Sequence, residues 1–278
     1  HVPDKARLPE TIGRLRSAGY IYPIDSNDGE AYAFKHTLVQ DAAYASLTNE
    51  RKSTLHQTVA ETLETQFPEI TSSQPELLAY HFSQTPLYMK ALTYWGRAGK
   101  RGVGRSAYLE ALEHLGAALK LVDRQADDPR VEAQEIELRQ LLASALAATQ
   151  GYTTEKVGEN YRRLRALARD QGLVHDEIDA LRGLSTFYVL QARYAQAASA
   201  AESLLDAART VGGAEPLIAA YRAVGVSSCF MGDLKRADAH LSHAVTLYEG
   251  EVAAGAAVLG VEDPGVASLA WLARTSWY

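Results

Sequence analysis

Hydrophobic and polar positions repeat along most of this chain in one fixed stripe. Four segments align: AYLEALEHLGAALKLV from Ala107, TTEKVGENYRRLRALA from Thr153, RYAQAASAAESLLDAA from Arg193 and DLKRADAHLSHAVTLY from Asp233. Their central residues, Ala111, Val157, Ala197 and Ala237, stand 46, 40 and 40 residues apart. Four positions on come Leu115, Tyr161, Ala201 and Leu241; seven on, Ala118, Leu164, Leu204 and Ala244; ten on, Leu121, Leu167, Ala207 and Leu247. Those offsets fall on one face of an α-helix. A partner helix precedes each, because Trp95, Leu141, Leu184 and Val224 keep spacings of 46, 43 and 40. Each unit is therefore a helical hairpin whose apolar faces are covered only by stacking on its neighbours. The small residues Ala111, Ala197 and Ala237 let paired helices approach closely.

The first 50 residues follow a different pattern. LPETIGRLRSAGYI reads as a short helix, with Pro9 in its first turn and Gly19 just past its end. YIYPI and AYAFKH bracket DSNDGE, so a β-hairpin turning at Asp28-Gly29 is expected. Helix then hairpin is the second half of a winged helix, whose first half would precede His1. Thr37 and Gln40 match a capping box for the helix TLVQDAAYASL, which offers Leu38, Val39, Ala42, Ala43 and Leu47 as an apolar face. Asn49 is the expected cap of the next helix, with Leu55, Val59, Leu63 and Phe67 inward. Weaker register extends the hairpins into residues 37–67 and 73–100. Pro264-Gly265 breaks the pattern, and VASLAWLARTSWY reads as the first helix of a further hairpin whose partner is absent. The chain thus reads as cut from a longer protein at both ends.

Composition narrows the function. The 278 residues are 47% hydrophobic with a net charge of −6, so no global basic field attracts nucleic acid or anionic lipid. The single cysteine, Cys229, allows no disulfide within the chain, and a reducing cytoplasm is the expected compartment. No run of apolar residues is long enough to span a bilayer. A winged helix raises DNA binding, with Glu10, Thr11, Arg14, Arg16 and Ser17 as the recognition face. The hairpin tip, however, carries Asp25, Asp28 and Glu30, which phosphates repel.

Candidate chemistry is sparse. His36 lies just before a helix, with no nucleophile nearby and only Asp41 as a carboxylate, so it reads as a joint residue with Gln40 and Tyr44. GRAGKRGVGRS at 96–106 has the glycines and cations of a phosphate loop but sits inside a helical pattern. His240 and His243 share a helix face without a third metal ligand and read as solvated surface. Asp176, Glu177 and Asp179 suit a helix N-terminus. Arg162, Arg165 and Arg169 in YRRLRALAR form the best basic patch for partner docking. First helices of stacked hairpins line the concave surface, which places Arg182, Ser185, Tyr188, Arg222 and Cys229 there; Tyr188 reads equally well as core.

MGDLKRADAHLSHAVTLY, with its Gly-Asp turn, is similar to the second helix of a tetratricopeptide repeat. The spacing exceeds the usual period of about 34 residues, which predicts longer helices or linkers. FKHTLVQDAAYASLTNERKSTLHQTVAETLE resembles a stretch of large bacterial signalling ATPases, and PELLAYHF, ALTYWGRAGKRGVGRSAYLEALEHLGAALKLV and EDPGVASLAWLARTSWY continue the resemblance. Such proteins carry a class III nucleotide cyclase domain, a STAND/AAA-type ATPase, a winged helix and tetratricopeptide repeats. The resemblance implies an all-α, tetratricopeptide-like solenoid preceded by a partial winged helix. Its divisions are 1–36 winged helix, 37–100 linker and first hairpins, 101–250 repeats, and 251–278 linker and truncated repeat. It implies a non-catalytic interaction and sensor module for an upstream ATPase or cyclase. The alternative is a fragment of a DNA-binding regulator with the repeats as its ligand sensor. This chain has no Walker A or cyclase motif, so no cofactor or metal is expected. Expected partners are a protein, peptide or small inducer in the repeat groove, the upstream ATPase domain, and a second copy.

Overall fold

A computed structural model describes residues 7–24, 31–125, 128–253 and 263–277. α1 (Leu8–Ser17) leads into an antiparallel hairpin of β1 (Ile21–Ile24) and β2 (Ala31–Phe34), with Ile21 opposite Phe34 and Ile24 opposite Ala31. The turn expected at Asp28-Gly29 and the acidic tip lie outside the described residues. Gly19 ends α1 at φ 71°, and Tyr20 N donates to Leu15 O at 3.0 Å, closing the turn as its sequence predicts.

Next come α2 (Thr37–Ala45), α3 (Asn49–Gln66), α4 (Pro68–Ser73) and α5 (Pro75–Ser83). The hairpins follow as α6 (Tyr88–Gly104) with α7 (Tyr108–Arg124), α8 (Pro129–Gln150) with α9 (Glu155–Asp170), α10 (Val174–Leu190) with α11 (Tyr194–Val211), and α12 (Ala214–Phe230) with α13 (Leu234–Ala253). α14 (Pro264–Trp277) packs on α13 and α12. Each helix lies against the next in the chain from α5 to α14, and α6 against α8, α10 against α12 and α12 against α14, so the hairpins stack into a solenoid. The long spacing between the first units has its cause in α8, which runs 22 residues.

The repeat stripe is the core. Ala111, Leu115, Ala118, Val157, Ala197, Ala201, Leu204, Ala237, Leu241 and Ala244 are all fully buried. Close approach uses glycine as well as alanine. A Cβ on Gly102 would stand 2.9 Å from the Ala111 Cβ, and one on Gly225 would stand 2.5 Å from Leu241 Cγ. The glycines of GRAGKRGVGRS thus lie within α6, where Gly99 and Gly102 receive α7, and they form no phosphate loop.

Three local expectations are corrected. The residue preceding α2 in extended conformation is His36, which makes no side-chain cap bond, so Thr37 is the first helical residue and the Thr37–Gln40 box does not form. Thr48 rather than Asn49 caps α3, its hydroxyl accepting from Arg51 N at 3.3 Å. The inward face of α3 is His56 and Ala60; Leu55, Val59 and Phe67 are exposed, because α3 turns toward α5 the face one residue on. α2 buries none of its residues, and Leu38 is 79% exposed. Among the described residues no helix is long and apolar enough to cross a membrane.

Candidate functional site

An open cleft of about 540 Å³ lies between α9 and α11, floored by α10. α9 is amphipathic: its apolar stripe Val157, Leu164 and Leu167 is buried, which turns Arg162, Arg165 and Arg169 to one wall of the cleft. α11 supplies Gln196, Ser199 and Ala200 opposite, and Leu184 and Tyr188 of α10 form the floor. Tyr188 is 9% exposed and belongs to a core cluster with Phe187 and Val157, so it is both core and cleft lining.

The arginines are unequally satisfied. Arg162 pairs with Glu155. Arg193 bonds Gln196, lies 5.0 Å above the Tyr188 ring, and stands 4.0 Å from Glu155. Arg165 reaches Glu177 only at 3.7 Å, beyond hydrogen-bonding distance. Arg169 has no ion pair among the described residues. Asp170 lines the same end of the cleft.

Of the residues expected on a first-helix surface, only Tyr188 reaches this cleft. Ser185 is 3% exposed and buried in α10, so it meets no ligand without unfolding. Arg182 turns away to Asp179 at 2.8 Å and to Glu215 of α12 at 3.7 Å. Arg222 and Cys229 are half-buried on α12 and outside the lining. The cleft opens between second helices because α9 and α11 do not pack on each other. His240 is half-buried rather than solvated, and the Tyr221 ring stacks on His243 and meets His240 at a tilt.

The joint is built differently from its sequence expectation. His36 and Gln40 are exposed and make no side-chain bond among the described residues. Tyr44 does: its hydroxyl bonds His56 Nε2 at 2.9 Å, and His56 Nδ1 bonds His81 Nδ1 at 2.8 Å. This chain of three groups ties α2 to α3 and α3 to α5. Tyr80 meets the His56 ring edge-on at 5.7 Å, and Lys52 Nζ lies 4.7 Å from the centre of the Tyr44 ring. Burial lowers the pKa of His56; burial, then the neighbouring His56 charge, lowers that of His81. The two histidines are 25 residues apart, His56 in STLHQTVAETLE and His81 in PELLAYHF, and nothing in either stretch pairs them; only the fold brings them together.

A second network fixes α9. Glu135 of α8, 2% exposed, accepts from Arg139 at 2.6 Å and from Arg163 at 2.9 and 2.8 Å. Burial pushes its carboxyl pKa up, but the bonds from Arg163 and Arg139 outweigh that and hold it below the usual value. With Arg163 held on α8, the opposite face of α9 is set toward the cleft. Among the described residues no three His, Cys, Asp or Glu side chains gather as a metal site.

No family model matches the chain. An uncharacterized protein of Rhizobium meliloti (strain 1021) is 26% identical over 170 residues, covering 60% of this chain and 16% of that protein. The match therefore spans about a sixth of the relative's length. Among solved structures, the apo form of RapI superposes with a TM-score of 0.56 at 10% identity, over 84% of this chain and 61% of that one. The STAND protein with a tetratricopeptide repeat sensor from Pyrococcus horikoshii gives 0.55 at 11% identity, over 95% of this chain and 48% of that one. BtubC from P. vanneervenii gives 0.51 at 14% identity, over 78% and 96%. At these identities the likeness is one of fold: the chain is a tetratricopeptide-like helical-repeat solenoid.

Proposed function

We propose that this chain is a non-catalytic interaction and sensor module that regulates a signalling ATPase or nucleotide cyclase carried upstream in the same polypeptide. The observation that carries this reading is the open cleft between α9 and α11, whose α9 wall lines three arginines up on a repeat scaffold. A likeness of fold to a STAND protein that has a tetratricopeptide repeat sensor supports the same reading. The Tyr44–His56–His81 tie supplies a route from the array to the N-terminal block. Occupancy of the array acts by favouring one packing of that block over another, to the extent that a ligand binds the two packings unequally. The order α1, β1, β2 supports reading that block as the second half of a winged helix that docks protein rather than duplex. The setting is a reducing cytoplasm, which suits the single unpaired cysteine.

The test uses the full-length parent. Tyr44→Phe removes the first bond of the tie and His81→Gln perturbs the second. Each is expected to change basal nucleotide turnover about fivefold or more, with the chain still folded by its thermal melt. Unchanged turnover in both folded variants contradicts the relay, and turnover by this chain alone contradicts the non-catalytic reading.

A further inference from the structure

We propose that the cleft between α9 and α11 binds an extended acidic peptide segment of a protein partner, with alternate carboxylates seated on Arg165 and Arg169. The proposal rests on the reading of the array as an interaction module and names the partner's chemistry. Arg165 and Arg169 are four residues apart on α9, roughly 6 Å along the helix axis. Alternate side chains of an extended strand repeat at about 6.7 Å on one side, so a Glu-x-Glu segment running along α9 presents both carboxylates in register. The intervening residue points the other way, toward Ala200 and Ser199 of α11 above the Leu184 and Tyr188 floor. That wall suits an apolar side chain.

The donors needed are present, and neither guanidinium is hydrogen-bonded to a carboxylate. Arg165 is ion-paired to Glu177 through Nε at 3.7 Å without a hydrogen bond, and Arg169 has no ion pair among the described residues, so the Arg169 fork is open to a carboxylate and the terminal nitrogens of Arg165 can take a second one. The acids nearby limit the ligand rather than exclude it. Glu155 holds Arg162 and faces Arg193, Glu177 stands 3.7 Å from one side of Arg165, and Asp170 lines the Arg169 end, so a carboxylate is seated best between Arg165 and Arg169. Elsewhere the net charge of −6 repels an acidic partner, which steers it to this patch. An open cleft of about 540 Å³ suits a short peptide segment.

Fluorescence anisotropy with the intact chain tests this, using a labelled peptide Gly-Glu-Leu-Glu-Leu-Gly as probe. The probe is expected to bind, and its Lys-for-Glu counterpart is not. Arg165→Glu with Arg169→Glu is expected to weaken binding about tenfold or more, and Arg169→Ala alone, at an exposed side chain, to weaken it in the same direction. Arg124→Glu, on exposed α7 surface, is expected to leave affinity unchanged. No binding at about 1 mM probe, full affinity in the folded double variant, or displacement by inorganic phosphate as effective as by unlabelled peptide overturns the proposal. Binding that leaves nucleotide turnover of the parent unchanged counts against the regulatory reading while sustaining this one.

Discussion

Ala192 is one of two non-glycine residues, with Ser106 at φ 61°, that take a left-handed backbone among the described residues. It joins α10 to α11 at φ 56°, and Arg193 N donates to Tyr188 O at 2.8 Å. Gly232 makes the same turn between α12 and α13 at φ 82°, with Asp233 N on Ser228 O at 3.0 Å. A left-handed conformation costs an alanine roughly 1 kcal/mol that glycine is spared. Ala192→Gly is therefore expected to raise stability by about 0.5 kcal/mol after the added freedom of the unfolded chain is deducted, as a higher denaturant midpoint. Gly225→Ala is expected to act oppositely. Its Cβ would meet Leu241 Cγ at 2.5 Å and Ala237 O at 3.2 Å, which costs about 1–3 kcal/mol of overpacking. A variant as stable as the parent would show that α12 and α13 are looser than this contact implies.

At the scale of elements, polar ties set how neighbouring helices face. Glu135→Gln removes the charge that gathers Arg139 and Arg163, and is expected to lower stability by about 2–3 kcal/mol. Because the folded carboxyl pKa is depressed, the native stabilisation is present above the unfolded pKa and fades as pH falls through the folded value. The parent and the variant should thus converge in acid. The His56–His81 pair has its own window. A bond between two Nδ1 atoms needs one of them bare, so protonating both rings breaks it and sets two charges against each other. Lys52, beside Tyr44, adds to the repulsion. Both folded pKa values are lowered, so the unfolded chain binds more protons below about pH 6.5, and stability falls as pH drops through that region. His81→Phe is expected to flatten that slope between about pH 7 and 5; an unchanged slope in thermal melts would place the effect elsewhere.

These ties also mark what the sequence made legible. The stripe through Ala111, Val157, Ala197 and Ala237 located four hairpins because each repeat obeys one helical period and buries it. Arg162, Arg165 and Tyr188 were marked separately, on a basic face and on a first helix, and the fold brings them to one cleft. Ser185 does not reach the surface, because periodicity gives a residue's face and not which neighbour covers it; Arg182 pairs with Glu215 of α12, itself a first helix, and stands outside this cleft. At α3 the row Leu55–Val59 and the row His56–Ala60 differ by one position, and hydrophobicity favoured the wrong one. The buried histidine is recognisable only once Tyr44 and His81 stand beside it.

The whole molecule is a chain of local interfaces. Each hairpin is held by its neighbours, and the core divides into one cluster spanning α3–α8 and others spanning α7–α12. Such an array passes a change at one interface to the next without a globular centre. The α9–α11 cleft lies far along it from the Tyr44 tie, so the central claim is that occupancy of the one is felt beyond the other. The most direct measurement is nucleotide turnover of the full-length parent, titrated with the Glu-Leu-Glu peptide and repeated on the Arg165→Glu, Arg169→Glu variant. The account predicts a saturable change in turnover that follows peptide binding and is lost in the variant. A peptide that binds the cleft to saturation while turnover stays flat would contradict it.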